Sequence, residues 1–186
     1  MYYFRRMNLR QLFLQHVAQT SSAPLALEIV KAEDCELTDV FGKKYIDLIG
    51  GISVANIGHR HPQVVEAIKK QLDDYMHIMV YGEFVQSPQV QYAKLLTEHL
   101  PSTINSVYFT NSGAEAVEGA MKLAKRVTGR NEIVAFKNSY HGSTQGALSI
   151  IGDEYWRNAF RPLLPDILHL NYNNFESIES ISTQTA

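Results

Sequence analysis

Several absences narrow the class of this chain before any motif is considered. There is one cysteine, Cys35, so no internal disulfide can form. No apolar run approaches the ~20 residues that a membrane-spanning helix needs. Neither charge sign is in excess: 17 Lys and Arg stand against 19 Asp and Glu, for a net charge of −2. The basic residues are also spread along the chain, so the electrostatic footprint of a nucleic-acid binder is missing. Internal repeats and low-complexity tracts are absent as well. What remains is a chain of 186 residues with 45% apolar content, enough for a real core. A soluble protein of a reducing compartment is expected, cytoplasmic, without nucleic-acid or membrane partners.

Acidic residues are missing from Met1 to Leu27, where Arg5, Arg6 and Arg10 accompany Ser21 and Ser22. That composition loosely resembles an organelle-targeting leader. The helical spacing of Leu9, Leu12, Phe13, His16 and Val17 argues instead for an ordinary amphipathic helix. Beyond Pro24, β-prone runs at Leu27–Ala32, Glu36–Thr38 and Tyr45–Leu48, with a turn at Asp39–Gly42, predict a small antiparallel sheet. Gly50 and Gly51 loosen the chain. Pro62 then opens a helix with Val64, Val65, Ile68 and Leu72 on one face, and a second helix is expected from about Pro88 to His99.

From Ser106 the pattern becomes strand, turn, helix, strand. Val107–Thr110 reads as a strand, Ala114–Val127 as a helix with a buried stripe of Val117, Ala120, Met121, Ala124 and Val127, and Glu132–Phe136 as a second strand. Ser143 onward is expected to be helical. Alternation of this kind implies an α/β fold with parallel strands. Ser112 and Glu115 have capping-box spacing, which by itself accounts for both residues. The same turn also presents free N–H groups and a helix dipole at a strand end, and Gly113 and Ala114 let the backbone approach an anion closely. A Rossmann glycine pattern and the Lys-Ser/Thr ending of a P-loop are both absent. The second strand is followed by Tyr140-His141-Gly142, so an aromatic ring and an imidazole can border the same crevice. That set suits a planar, aromatic, phosphorylated ligand such as pyridoxal phosphate. His59 and His61, in "GHRHP", have a metal-like spacing but no evident third ligand, and are read as structural residues of a helix-entry loop, with no metal expected.

Three ordered stretches, "YIDLIGGISVANIGHRHPQVVEAI", "FTNSGAEAVEGAMKLAKRVTGR" and "SYHGST", closely resemble the class III, fold type I, pyridoxal-phosphate-dependent aminotransferases, from near Asn8 to the end of the chain. The resemblance implies a fold type I α/β architecture: residues 1–55 contribute to the small domain, and 56–186 form the first part of the large cofactor domain. It implies that Ser112, Gly113 and Ala114 cup the cofactor phosphate, that Tyr140 stacks on its ring with His141 beside it, and that Ile52 and Tyr81 line the substrate pocket. It further implies transamination between an amino acid or ω-amine donor and an oxo-acid acceptor, in a homodimer.

Two departures from the family pattern stand out. Many members have arginine after Tyr/Phe-His-Gly to grip a carboxylate, where this chain has Ser143, although Arg157 and Arg161 lie downstream. No lysine here stands in the context of the family's Schiff-base residue, which is expected beyond residue 186. The missing lysine leaves open a non-catalytic module that at most binds cofactor or a partner; an aminomutase of the same family, which would share the cup and stacking residues, and a general phosphate-binding α/β domain with no link to pyridoxal phosphate also stay open.

Overall fold

The computed structural model describes residues 8–79 and 82–186. The chain divides into two compact units, Met1–Phe84 and Val85–Ala186. Arg5 and Arg6 of the N-terminal stretch, and the expected pocket residue Tyr81, lie outside the described residues.

The first unit begins with α1 (Leu9–His16), the amphipathic helix expected from its spacing. Asn8 caps it in a reciprocal capping box, accepting from the Gln11 N–H at 2.9 Å while the Gln11 side chain accepts from the Asn8 N–H at 3.1 Å. The antiparallel meander β1 (Ile29–Glu33), β2 (Glu36–Asp39), β3 (Lys44–Ile46) follows as predicted. Its second turn is built on the buried Asp39, whose Oδ1 accepts from the amides of Phe41 and Lys43 at 2.9 Å while Oδ2 accepts from the Tyr45 hydroxyl at 2.9 Å. Next comes a single turn, α2 (Gly50–Ser53), with four consecutive left-handed residues: Gly50, Gly51, Ile52 and Ser53 have φ of 54, 62, 60 and 63°. Pro62 opens α3 (Pro62–Asp74), whose apolar Val64, Ile68 and Leu72 remain exposed.

The second unit contains α4 (Ser87–Glu98), α5 (Gly113–Thr128), β4 (Ile133–Phe136), α6 (Gln145–Ser149), α7 (Glu154–Arg157) and β5 (Ile167–Leu170). Strands β4 and β5 pair in parallel, with Ile133 opposite Ile167 and Phe136 opposite Leu170, as the α/β reading requires. β5 was not anticipated from the sequence. Residues 184–186 lie along the other side of β4, where the Ala186 N–H donates to the Glu132 carbonyl at 2.9 Å. The core comprises Met121, Ile133, Ala135 and Ile150, with Val117 and Ile167 packed against it.

Two expectations are corrected here. Val107–Thr110 is extended but has no paired strand among the described residues. Its aromatic side chains pack locally, Phe109 against Tyr92 of α4 with ring centroids 6.1 Å apart and Tyr108 over Gly119 of α5. The buried stripe of α5 is also narrower than predicted, because Ala120 and Val127 face outward, Val127 with 75% of its surface exposed.

Met121, 8% exposed, is the one buried residue of α5 and joins that helix to β4. Met121→Ala is expected to lower unfolding free energy by about 2 kcal/mol or more, measured by urea denaturation followed through Trp156 fluorescence.

Candidate functional site

The site expected from the sequence begins at the N-terminus of α5. Ser112 is its N-cap, with Oγ accepting from the Glu115 N–H at 3.1 Å. Glu115 does not complete the expected capping box: its carboxylate reaches one residue further back, to the Asn111 N–H at 2.7 Å. With the Glu115 and Ala116 amides engaged by Ser112, those of Gly113 and Ala114 have no partner among the described residues. A Cβ at Gly113 would meet nothing within 4 Å, so the helix start is uncovered on that side. Exposed N–H groups, a helix dipole and an uncovered helix start together suit an anion.

The second motif arrives from β4. Gly142 has φ +124°, and a Cβ there would stand 2.6 Å from the Ala114 Cβ and 3.0 Å from its Cα. Only a residue without a side chain lets the Tyr140–Gly142 turn touch the α5 N-terminus. Ser112, Gly113 and Ala114 are thus brought together with Tyr140 and His141. Tyr140 is 69% exposed, its hydroxyl 3.2 Å from Ser143 Oγ. His141 Nε2 is buried without a hydrogen-bond partner among the described residues. A buried imidazole nitrogen left unpaired is costly, and a polar ligand beside the turn would relieve it. The amides, the uncovered helix start, the ring and the imidazole therefore fit an aromatic phosphate ester.

Glu118, which sequence reasoning did not single out, links these parts. Its Oε1 accepts three hydrogen bonds, from Thr144 Oγ1 at 2.7 Å and from the amides of Gly146 and Ala147 at 2.8 and 3.1 Å. The Thr144 hydroxyl most of all, then the two amides, hold this carboxyl below its ordinary value against the opposing effect of burial. One signal for it was available. Glu118 lies four residues after Ala114, on the edge of the packed stripe rather than opposite it.

Ile52, in the first unit, is 87% exposed on the left-handed turn. Asp47 holds that turn: Oδ1 accepts from the amides of Ile49 and Gly50 at 3.0 and 2.9 Å, and Oδ2 lies 2.7 Å from His59 Nε2. His59 therefore has a carboxylate partner that the sequence did not disclose, while His61 Nδ1 is buried without a hydrogen-bond partner among the described residues. Among the described residues no group of three or more His, Cys, Asp or Glu could hold a metal ion. The downstream arginines are both engaged locally. Arg157 donates to the Ser149 carbonyl at 3.1 Å and pairs with Glu154, which also binds Arg161 at 2.7 Å.

Two tests follow from this geometry. Gly142→Ala is expected to cost about 1–3 kcal/mol of stability through overpacking, whereas Gly113→Ala is neutral or stabilising; comparative urea unfolding reads the difference. The hydrogen bond from His59, then the amides of Gly50 and Ile49, lower the Asp47 carboxyl from its ordinary value of 3.8. A depressed folded-state value contributes stability above the unfolded value and loses it as pH falls through the folded one. The stability advantage of wild type over Asp47→Asn is therefore present at neutral pH and shrinks below about pH 4, checked by thermal melts across pH.

A family model described as "Aminotransferase class-III" matches residues 17–185. Among curated proteins, the acetylornithine aminotransferase of Methanopyrus kandleri is 40% identical over 174 residues, covering 92% of this chain and 43% of that protein. The chain thus spans less than half the length of the curated relatives it matches. Among solved structures, the taurine:2-oxoglutarate aminotransferase of Bifidobacterium kashiwanohense, in complex with PLP and glutamate, is similar with TM-score 0.81 and 32% identity, over 94% of this chain and 39% of that one. The adenosylmethionine-8-amino-7-oxononanoate aminotransferase of Methanocaldococcus jannaschii gives TM-score 0.85 and 29% identity, over 95% and 45% respectively.

Proposed function

The chain belongs to the class III aminotransferases, and on that premise we propose that it serves transamination, moving an amino group from an amino acid or ω-amine donor to an oxo-acid acceptor with pyridoxal phosphate as cofactor. The carrying observation is the contact of Gly142 with Ala114, which joins an anion-receptive helix end to an exposed tyrosine and an imidazole whose Nε2 has no partner among the described residues. When bound, the cofactor supplies an electrophilic carbonyl and an electron-withdrawing ring that stabilises negative charge on the substrate carbon.

The amides of Gly113 and Ala114 receive the phosphate, aided by the α5 dipole, with Ser112 holding the turn. Tyr140 would stack on the ring and shield it from water. His141, next in the chain, would be the neighbouring polar group available to the cofactor. Ile52 and Tyr81 are assigned to the substrate pocket by resemblance alone, Ile52 as an apolar residue there. No lysine among residues 1–186 is assigned the covalent role. Residues 56–186 are assigned to the cofactor domain, and 1–55 to the smaller one.

A donor whose reacting amine is remote from an α-carboxylate is favoured. Ser143 stands where a carboxylate-gripping arginine is common in the family, and Arg157 and Arg161 are already tied to Glu154. Relatives named for acetylornithine and taurine are consistent with that choice. A homodimer is proposed from the resemblance to the fold type I aminotransferases. A cytoplasmic location is proposed from the single cysteine and from the lack, among the described residues, of a helix long and apolar enough to cross a membrane.

Equilibrium dialysis of the purified protein against pyridoxal phosphate tests the reading. Saturable binding is expected, weakened about fivefold or more by Tyr140→Ala, the equivalent of roughly 1 kcal/mol of lost stacking. Gly113→Ala is expected to weaken binding while leaving the fold intact. Absence of saturable binding by wild type would overturn the proposal.

A further inference from the structure

We propose that Glu118 is a positioning residue that sets the spacing between the two cofactor-facing turns; the inference rests on the reading above and goes beyond it. The Ser112–Ala114 turn belongs to α5, whereas the Tyr140–Gly142 turn comes from the end of β4 and has no covalent reason to stay beside it. Two observations show how it is held. Gly142 sits against Ala114 so closely that a methyl group would not fit. Two to five residues further on, the Glu118 carboxylate, projecting from the second turn of α5, gathers Thr144, Gly146 and Ala147 on one oxygen.

Three donors on a single Oε1 make a short clamp rather than a surface ion pair. Its other oxygen is also confined, since a Cβ at Gly146 would stand 2.2 Å from Glu118 Oε2. Position 146 therefore has to lack a side chain for the carboxylate to reach the amides. The clamp caps α6 from outside its own segment, because Thr144, the N-cap of α6, makes no side-chain cap of its own. Tyr140 and His141 lie on the short run between β4 and this clamp. Their distance from the α5 amides is consequently set by Glu118 and not by either turn alone.

A ligand that touches only the α5 amides should be indifferent to the clamp, whereas one that also spans to Tyr140 and His141 should depend on it. The test measures binding of inorganic phosphate and of pyridoxal phosphate to wild type, Glu118→Ala, Glu118→Gln and Thr144→Ala. Hydrogen exchange at the Gly146 and Ala147 amides serves as the structural readout. Glu118→Ala is expected to accelerate exchange at both amides and to weaken pyridoxal phosphate about tenfold, equivalent to about 1.4 kcal/mol, with phosphate affinity unchanged. Glu118→Gln keeps an acceptor without its charge and is expected to recover most of the loss. Thr144→Ala removes one donor only and should fold even if Glu118→Ala does not; a smaller change in the same direction supports the proposal. Faster amide exchange with unchanged pyridoxal phosphate affinity, in either alanine variant, overturns it. Equal losses of phosphate and pyridoxal phosphate also overturn it, because they signal general loosening of the unit. If wild type binds no pyridoxal phosphate, this inference falls together with the proposed function, an outcome distinct from failure of the variants alone.

Discussion

The close approach of Gly142 to Ala114 is the constraint on which the second unit's functional face depends. A helix N-terminus can receive an anion on its own, but it cannot choose among anions. Choice requires a second surface at a defined distance, and here that surface reaches the helix only because neither Gly142 nor Ala114 interposes a side chain of any size. Packing of this kind has little tolerance, since even one added methyl must displace backbone. The Glu118 clamp secures the same approach from the other side, using a carboxylate whose charge strengthens each of the three hydrogen bonds it accepts.

In the first unit a carboxylate has the comparable task. Asp47 binds two amides at the entry to the α2 turn and also meets His59, so that segments separated by twelve residues are pinned together. Beyond it, Ile52 and Ser53 occupy left-handed backbone that β-branched and other non-glycine residues seldom adopt. Such strain costs of order 1–3 kcal/mol per residue and persists only where neighbouring structure enforces it. The network at Asp47 and the bridge between Asp34 and His59 supply that enforcement. The result is an apolar side chain held out toward solvent.

The arginines illustrate the reverse case, in which a residue of suitable chemistry is withdrawn from a site. Arg157 and Arg161 carry the planar fork that would grip a carboxylate, yet Glu154 engages both. Side-chain chemistry alone therefore overstates the number of groups available for recognition, because a guanidinium already paired with a local carboxylate is less available to a ligand.

Helices α1, α3, α4 and α5, the meander and β4 were legible because their signals are local: periodicity, caps and turn residues act within a few positions. The candidate residues at Ser112–Ala114 and Tyr140–His141 were legible as ordered motifs for the same reason. The sequence by itself determined these elements and the chemistry displayed at their ends. Tertiary structure decided how they are used: that Val107–Thr110 packs on Tyr92 and Gly119 without a paired strand among the described residues, that β5 and the residues around Thr185 flank β4, and that Val127 faces outward. It also decided that Glu115 caps Asn111, that Asp47 meets His59, and that Glu118 spans from α5 to α6. Each of these depends on contacts between segments whose separation along the chain carries no periodic signal, so only the folded arrangement can specify them.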